Sequence, residues 1–306
     1  MALEWSTVEV LASKGMFQPR FAVLDIGSSN LYSANAPAIA AFVNHLASPP
    51  PADLQPIATD IAARSRLTLD GQQQNKAFFG EVLTAAGLSY SSVDIADGYK
   101  TTFADLNRDQ PPDAFLGAFD LVMNVGTSEH ILDQANVFRY VHAATRPGGL
   151  MFHQLPASGF ANHGYFCYTP RLFCDLASYN NYEIVDMWFS GPSAHENLLG
   201  AVEAYRHIHP ALQSTLDRMK TDESGQAIER ILVPDMAINV LFRRNSSARF
   251  LGTLEMSTSV GHIAPATIDA YSANLLERLV RRVRTSLRYR FPKLTQEARR
   301  LLARRD

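Results

Sequence analysis

Phe21-Ala22-Val23-Leu24-Asp25-Ile26-Gly27 is a run of strand-forming apolar residues that ends in an acid and a glycine. A continuous apolar run, rather than an alternating one, marks a strand buried on both faces, as in a parallel sheet. Gly27 lets the chain leave that strand in a sharp turn and lets backbone approach a ligand closely. Outward from this stretch the pattern repeats. Asn35-Ala36-Pro37 opens a helix whose body is Ala38 to Leu46, with Pro37 near its first turn, and Ser48-Pro49-Pro50-Pro51 stops it. Residues 48–74 are polar with mixed signals and read as an insertion or cover. Asn75 to Ala86 carries Phe78, Phe79, Val82 and Leu83 at helical spacing, Gly87 ends that helix, and Tyr90 to Ile95 reads as the next strand. Phe119 to Val125 is a third apolar strand, Asp133 to Thr145 a helix, Pro147-Gly148-Gly149 a turn, and Leu150 to Leu155 a fourth strand. Such alternation predicts an α/β fold, a mostly parallel sheet with helices on both faces. Farther on, Arg171 to Tyr179 predicts a helix, Tyr182 to Trp188 a strand, and Met236 to Phe242 an antiparallel edge strand, while residues 196–232 look helical and charged.

The 306 residues are 46% apolar, which excludes a disordered or fibrous chain. The net charge of -2 conceals a cancellation: residues 271–306 hold 11 Lys+Arg against 3 acids, so the remainder is acidic. Two cysteines, Cys167 and Cys174, make no disulfide scaffold and no metal-ligand spacing, which fits a reducing, cytoplasmic setting. Glu4, Glu9 and Lys14 interrupt the first sixteen residues, unlike a signal peptide, and no eighteen apolar residues run together.

In an open α/β sheet the ligand lies beyond the carboxyl ends of the strands. The residues there are Asp25 and Gly27, Asp94, Asp105-Leu106-Asn107, Asn124 through His130, and His153. A carboxylate after the second strand suits a ribose diol, because it accepts two hydroxyl hydrogen bonds. A dinucleotide fingerprint needs three glycines to bring a helix onto pyrophosphate, and Gly27-Ser28-Ser29-Asn30-Leu31-Tyr32 has only the first. No phosphate-binding P-loop pattern occurs.

Taken in order, Val23-Leu24-Asp25-Ile26-Gly27-Ser28-Ser29-Asn30, Val93-Asp94, Ala104-Asp105-Leu106-Asn107, Phe119-Asp120-Leu121-Val122 and Arg146-Pro147-Gly148-Gly149-Leu150 resemble the motif series of class I S-adenosylmethionine-dependent methyltransferases. Asn124-Val125-Gly126-Thr127-Ser128-Glu129-His130, followed by Asn162-His163-Gly164-Tyr165-Phe166 and Pro170, is similar to a bacterial branch of that superfamily linked to surface-polysaccharide genes. The resemblance implies a Rossmann-like, mostly parallel seven-stranded sheet and methyl transfer from S-adenosylmethionine, leaving S-adenosylhomocysteine. It implies cofactor contacts from Asp25 and Gly27 at the methionine end, from Ser29 and Asn30 in the same loop, from Asp94 at the ribose, from Asp105 at the adenine amino group, and from Asn124 between cofactor and acceptor. The Asp25-to-Asp94 gap of 69 residues exceeds the roughly 20 of a compact nucleotide unit, and the insertion at 48–74 accounts for the excess.

Methyl transfer to oxygen or nitrogen needs alignment and removal of one proton. Glu129, His130 and His163 are the candidate acid–base residues, His130 first, with His153 also near the acceptor's path; no metal is expected. The competing reading has Glu129 complementing a helix dipole and His130 packed. Leu275, Leu279, Val283 and Leu287 recur every four residues among arginines, so residues 271–306 read as a basic amphipathic tail. Packing on the body or in a homodimer, peripheral contact with the inner face of an anionic membrane, and nucleic-acid binding all suit such a helix, nucleic acid least. The expected organisation is an N-terminal cap at 1–20, a methyltransferase domain at 21–245, a linker at 246–270 and this tail. The expected acceptor is a glycan or small metabolite, methylated on a hydroxyl; the alternatives are a non-catalytic accessory protein of the cell envelope and a small-molecule N-methyltransferase.

Overall fold

The structure, a computed structural model, describes residues 2–66, 68, 69, 72, 73, 76–160, 163–191 and 235–251. The expected basic tail, the charged stretch 196–232, Asn162 and most of the linker lie outside the described residues.

Seven strands form the central sheet: β1 (Ala22–Ile26), β2 (Ser89–Asp94), β3 (Thr101–Phe103), β4 (Phe119–Val125), β5 (Thr145–Ser158), β6 (Tyr182–Ser190) and β7 (Met236–Arg244). Their order is β6-β7-β5-β4-β1-β2-β3, and only β7 runs antiparallel to its neighbours. This is the mostly parallel seven-stranded sheet expected of the class I methyltransferase fold. One expectation is corrected. Met236–Arg244 is antiparallel but is not an edge strand, since β5 and β6 pair on either side of it. Ile238 through Phe242 are accordingly buried, with Ile238, Val240 and Phe242 facing one layer and Leu241 the other.

The helices are α1 (Trp5–Ser13), α2 (Ala36–Leu46), α3 (Leu54–Arg64), α4 (Phe79–Ala85), α5 (Gln134–Ala144) and α6 (Pro170–Asn180). Strand alternation sorts the core into two layers. Val23, Leu121, Met123, Val125 and Phe152 pack with α1, α2, α3 and α4 on one face, and Leu24, Ile26, Val122, Met151 and Leu155 with α5 and α6 on the other. The Asn35 side chain accepts from the Ala38 amide and caps α2, and Asp133 does the same for α5 through Asn136. A Cβ on Gly80 would lie 2.3 Å from the Tyr90 ring, so that glycine is what lets α4 lie flat on β2.

The excursion after β1 is wider than the sequence suggests. Asn30–Tyr32 forms a short strand parallel to Ala2–Glu4, Asn30 bridges Phe78, and the Phe79 amide donates to the Ser29 carbonyl at 3.0 Å. The chain therefore leaves the nucleotide unit at Asn30 and re-enters it at Phe78, directly opposite. Without residues 30–77, β1, α4 and β2 form a compact unit in which Asp25 and Asp94 stand about 20 residues apart, the spacing of the nucleotide fold. Arg64 pins the excursion to α4 through Glu81, whose carboxylate also accepts from the Phe78 amide at 2.9 Å.

Candidate functional site

The strand order reverses between β1 and β4, the place where open α/β sheets hold their ligands. Thr127, after β4, donates its hydroxyl to the Ile26 carbonyl and closes this junction from below. On the β1 side, Gly27 sits at φ +98°, and its amide donates to the Val93 carbonyl at 2.7 Å. Asp25 is fully buried and accepts from the Ser29 amide (2.7 Å), the Ser29 hydroxyl (3.1 Å) and the Tyr90 hydroxyl (3.0 Å). Burial raises its pKa, against the opposing effect of these hydrogen bonds. Asp25 and Ser29 thus spend their polar groups on the turn itself, and Asn30 opens the excursion. The first two, expected as cofactor contacts, hold the loop in shape. The Ser28 hydroxyl accepts from the Tyr99 amide beneath Gly98, where a Cβ would lie 2.3 Å from that oxygen.

Asp94, half-buried at the end of β2, caps the Ala96 amide at 3.0 Å, and Ile95 beside it is 69% exposed. Asp105 accepts from the Asn107 amide and side chain, which lower its pKa. Asn107 in turn accepts from the Leu132 and Asp133 amides and so joins the β3 loop to the start of α5. Asp94 and Asp105 are half-exposed, and Ile95, next to Asp94, and Leu132, whose amide Asn107 binds, are exposed.

Asn124 departs from expectation. It shares the face of Val122, is fully buried, and donates to Ser128 (3.0 Å) while its amide group also meets His153 Nδ1 (3.1 Å). Tyr168 extends this interior network to Ser128 and Gln134. His153 likewise lies under α5 and α6, among Phe138, Phe173 and Phe242, and burial lowers its pKa to about 3. Asn124 and His153 are buried in the core.

Glu129, His130 and His163, by contrast, do come together. Ser128–His130 is a single 3-10 turn ahead of α5, so Glu129 is not in that helix's first turn, and His130 is exposed rather than packed. Glu129 is buried, yet neither carboxylate oxygen has a hydrogen-bond partner among the described residues. His163 Nε2 lies 3.5 Å and His130 Nε2 3.9 Å from the same oxygen, Oε1. Interaction with that carboxylate raises the His163 pKa over the opposing effect of partial burial. Gly164 makes the approach possible: a Cβ there would lie 2.8 Å from Glu129 Cγ, and the Tyr165 amide donates to the Glu129 carbonyl at 2.7 Å. The three side chains line a cavity of about 250 Å³ together with Val125, Leu155, Pro156 and Phe160. Gln154 and Phe160 complete the cavity without any sequence signal, whereas the glycine following His163 is a signal that reads only once the loop is seen against Glu129.

No protein-family model and no curated protein matches this chain. Among solved structures it is similar to a protein described as a sarcosine dimethylglycine methyltransferase from Galdieria sulphuraria, at 13% identity over 78% of this chain and 86% of that one, with a TM-score of 0.42. It is similar also to the [4+2]-cyclase SpnF (14% identity, 78% of this chain and 80% of that one, TM-score 0.39). A SAM-dependent methyltransferase from Archaeoglobus fulgidus matches at 12% identity over 78% and 93% of the two chains, with a TM-score of 0.40.

Proposed function

We propose that this chain is a class I S-adenosylmethionine-dependent methyltransferase that methylates a hydroxyl of a glycan or small metabolite. The observation that carries the reading is the division of labour across the β1–β4 junction. Hydroxyl-accepting acids with exposed apolar neighbours stand on the β1–β3 side, and a carboxylate with two imidazoles stands beside a cavity on the β4–β5 side. In this reading Asp94 accepts from the ribose hydroxyls, Ile95 covers a face of the adenine, Asp105 receives its amino group, and the Gly27 turn takes the methionine end. The methyl group then points toward the cavity. A sulfonium is already a good leaving group, so the protein aligns the reactants and takes up the acceptor's proton. A neutral amine attacks through its own lone pair, whereas an alcohol must give up its proton to become a good nucleophile, so a cluster that takes up a proton favours O-methylation. Within the cluster His163, closest to Glu129, is the better placed imidazole, with His130 beside it.

Cytoplasmic placement, contact of residues 271–306 with the inner face of an anionic membrane, and self-association as a homodimer are proposed with it. Equal recovery of tail-truncated and intact protein on anionic vesicles contradicts the membrane contact. The cofactor reading is tested by calorimetry with S-adenosylhomocysteine. Micromolar binding is expected, weakened at least ~10-fold in Asp94→Ala, a loss of about 1.4 kcal/mol. Preferential binding of a nicotinamide dinucleotide, or no binding of either, overturns it.

A further inference from the structure

We propose that Glu129, His130 and His163 form a binding site for one divalent transition-metal cation, zinc or a first-row neighbour. The inference rests on the geometry of the cluster; only its catalytic consequence rests on the methyltransferase reading.

Glu129 is 1% exposed and neither of its oxygens is hydrogen-bonded among the described residues. An ionised carboxylate left so is costly, by several kcal/mol, unless a cation pairs with it. The donors that could hold such a cation already converge, for one atom from each of the three side chains lies within 4.8 Å of the other two. A tetrahedral zinc site with bonds of about 2.1 Å sets its donors about 3.4 Å apart. The Glu129–His163 separation of 3.5 Å meets that spacing, and the others, 3.9 Å for Glu129–His130 and up to 4.8 Å across the set, close to it by side-chain rotation.

A divalent cation uses this arrangement more fully than a proton does. The two imidazole rings stand edge to face with centroids 4.8 Å apart, so two imidazolium charges would repel, and a single proton leaves one ring idle. A divalent cation engages both neutral nitrogen lone pairs and the carboxylate together. Two imidazoles and one carboxylate are a borderline-soft donor set, suited to zinc and its neighbours rather than to calcium or magnesium. The backbone holds the set in place, since the Tyr165 amide binds the Glu129 carbonyl and Gly164 admits no side chain between them. Three protein ligands leave further positions open, and the cavity of about 250 Å³ lies beside them. An acceptor hydroxyl bound there would give up its proton to solvent water more readily, because the cation stabilises the alkoxide; with the metal bound the imidazoles act as ligands, and without it they remain the proton acceptors of the methyltransferase reading.

The test uses the full chain, stripped with a chelator, dialysed, and titrated with Co²⁺ while visible absorption is followed, with Zn²⁺ added afterwards as competitor. About one Co²⁺ per chain is expected, displaced by Zn²⁺. Affinity should fall at least ~10-fold in His163→Ala and in Glu129→Gln. His163 is half-exposed, so its variant retains the fold if Glu129→Gln does not. No saturable Co²⁺ absorption, or binding unchanged in both variants, overturns the proposal. S-adenosylhomocysteine affinity is measured on the same samples: its absence beside intact metal binding contradicts the methyltransferase reading and leaves the metal site standing.

Discussion

Asp25 and Glu129 are both buried carboxylates at the carboxyl ends of neighbouring strands, yet their surroundings are opposite. Asp25, in β1, accepts three hydrogen bonds from Ser29 and Tyr90. Glu129, after β4, accepts none among the described residues and faces two half-exposed imidazoles. Burial is thus no sign of function; what separates the two is whether the protein itself satisfies the group. The turn after β1 satisfies its own carboxylate, and the turn after β4 leaves its carboxylate without a hydrogen bond among the described residues.

The contrast breaks first at Glu129→Gln. Methyl transfer should fall by roughly 10²–10⁴, as for loss of a group that handles the reacting proton, with urea stability unchanged or higher. Lost stability with retained turnover would make Glu129 the structural member of the pair. Asp25→Ala should do the reverse and destabilise by about 3–5 kcal/mol, because three buried donors lose their acceptor, as seen in equilibrium unfolding. A loss under ~1 kcal/mol would remove Asp25 from the scaffold.

Acid probes the scaffold's histidines. Burial holds His153 at about 3 and His142, in α5 against the Tyr182 hydroxyl, at about 4, below the unfolded value of about 6.5. Both are neutral in the fold, so their contribution is complete above about pH 6.5 and is lost as pH falls toward the folded values, by about 1.4 kcal/mol per unit for each. Urea titrations at successive pH values should show that slope, reduced by one proton in His153→Gln; an unchanged slope contradicts the core placement. The smallest effect is expected at Gly164→Ala, where the added methyl presses on Glu129. About 1 kcal/mol of stability should go, with turnover falling more than stability does, and equal kinetics would show that the loop does not set the cluster.

Much of this was legible before the structure. β1, β4 and β5 are continuous apolar runs, and such runs leave little choice about burial. Thr101-Thr102-Phe103 gave no such signal, being three residues with Thr102 and Phe103 exposed, so β3 was missed. The limits of the excursion were unreadable, because Asn30 and Phe78 meet across a single bridge between residues far apart in the chain. Glu129, His130 and His163 were identified as a group by residue type and position after strands. The burial of Asn124 and His153 follows from strand parity: they share faces with Val122 and Met151, which look toward α5. That β7 is interior could not be read, since neighbour order in a sheet is a tertiary fact.

The central claim is tested most directly by methyl-labelled S-adenosylmethionine, incubated with the intact chain and separated lipid, glycan, nucleic-acid and small-molecule fractions, with Glu129→Gln in parallel. Label should enter a glycan or small-molecule fraction with the natural chain and not with the variant. Label in no fraction while S-adenosylhomocysteine still binds, or equal labelling by both proteins, would contradict the account.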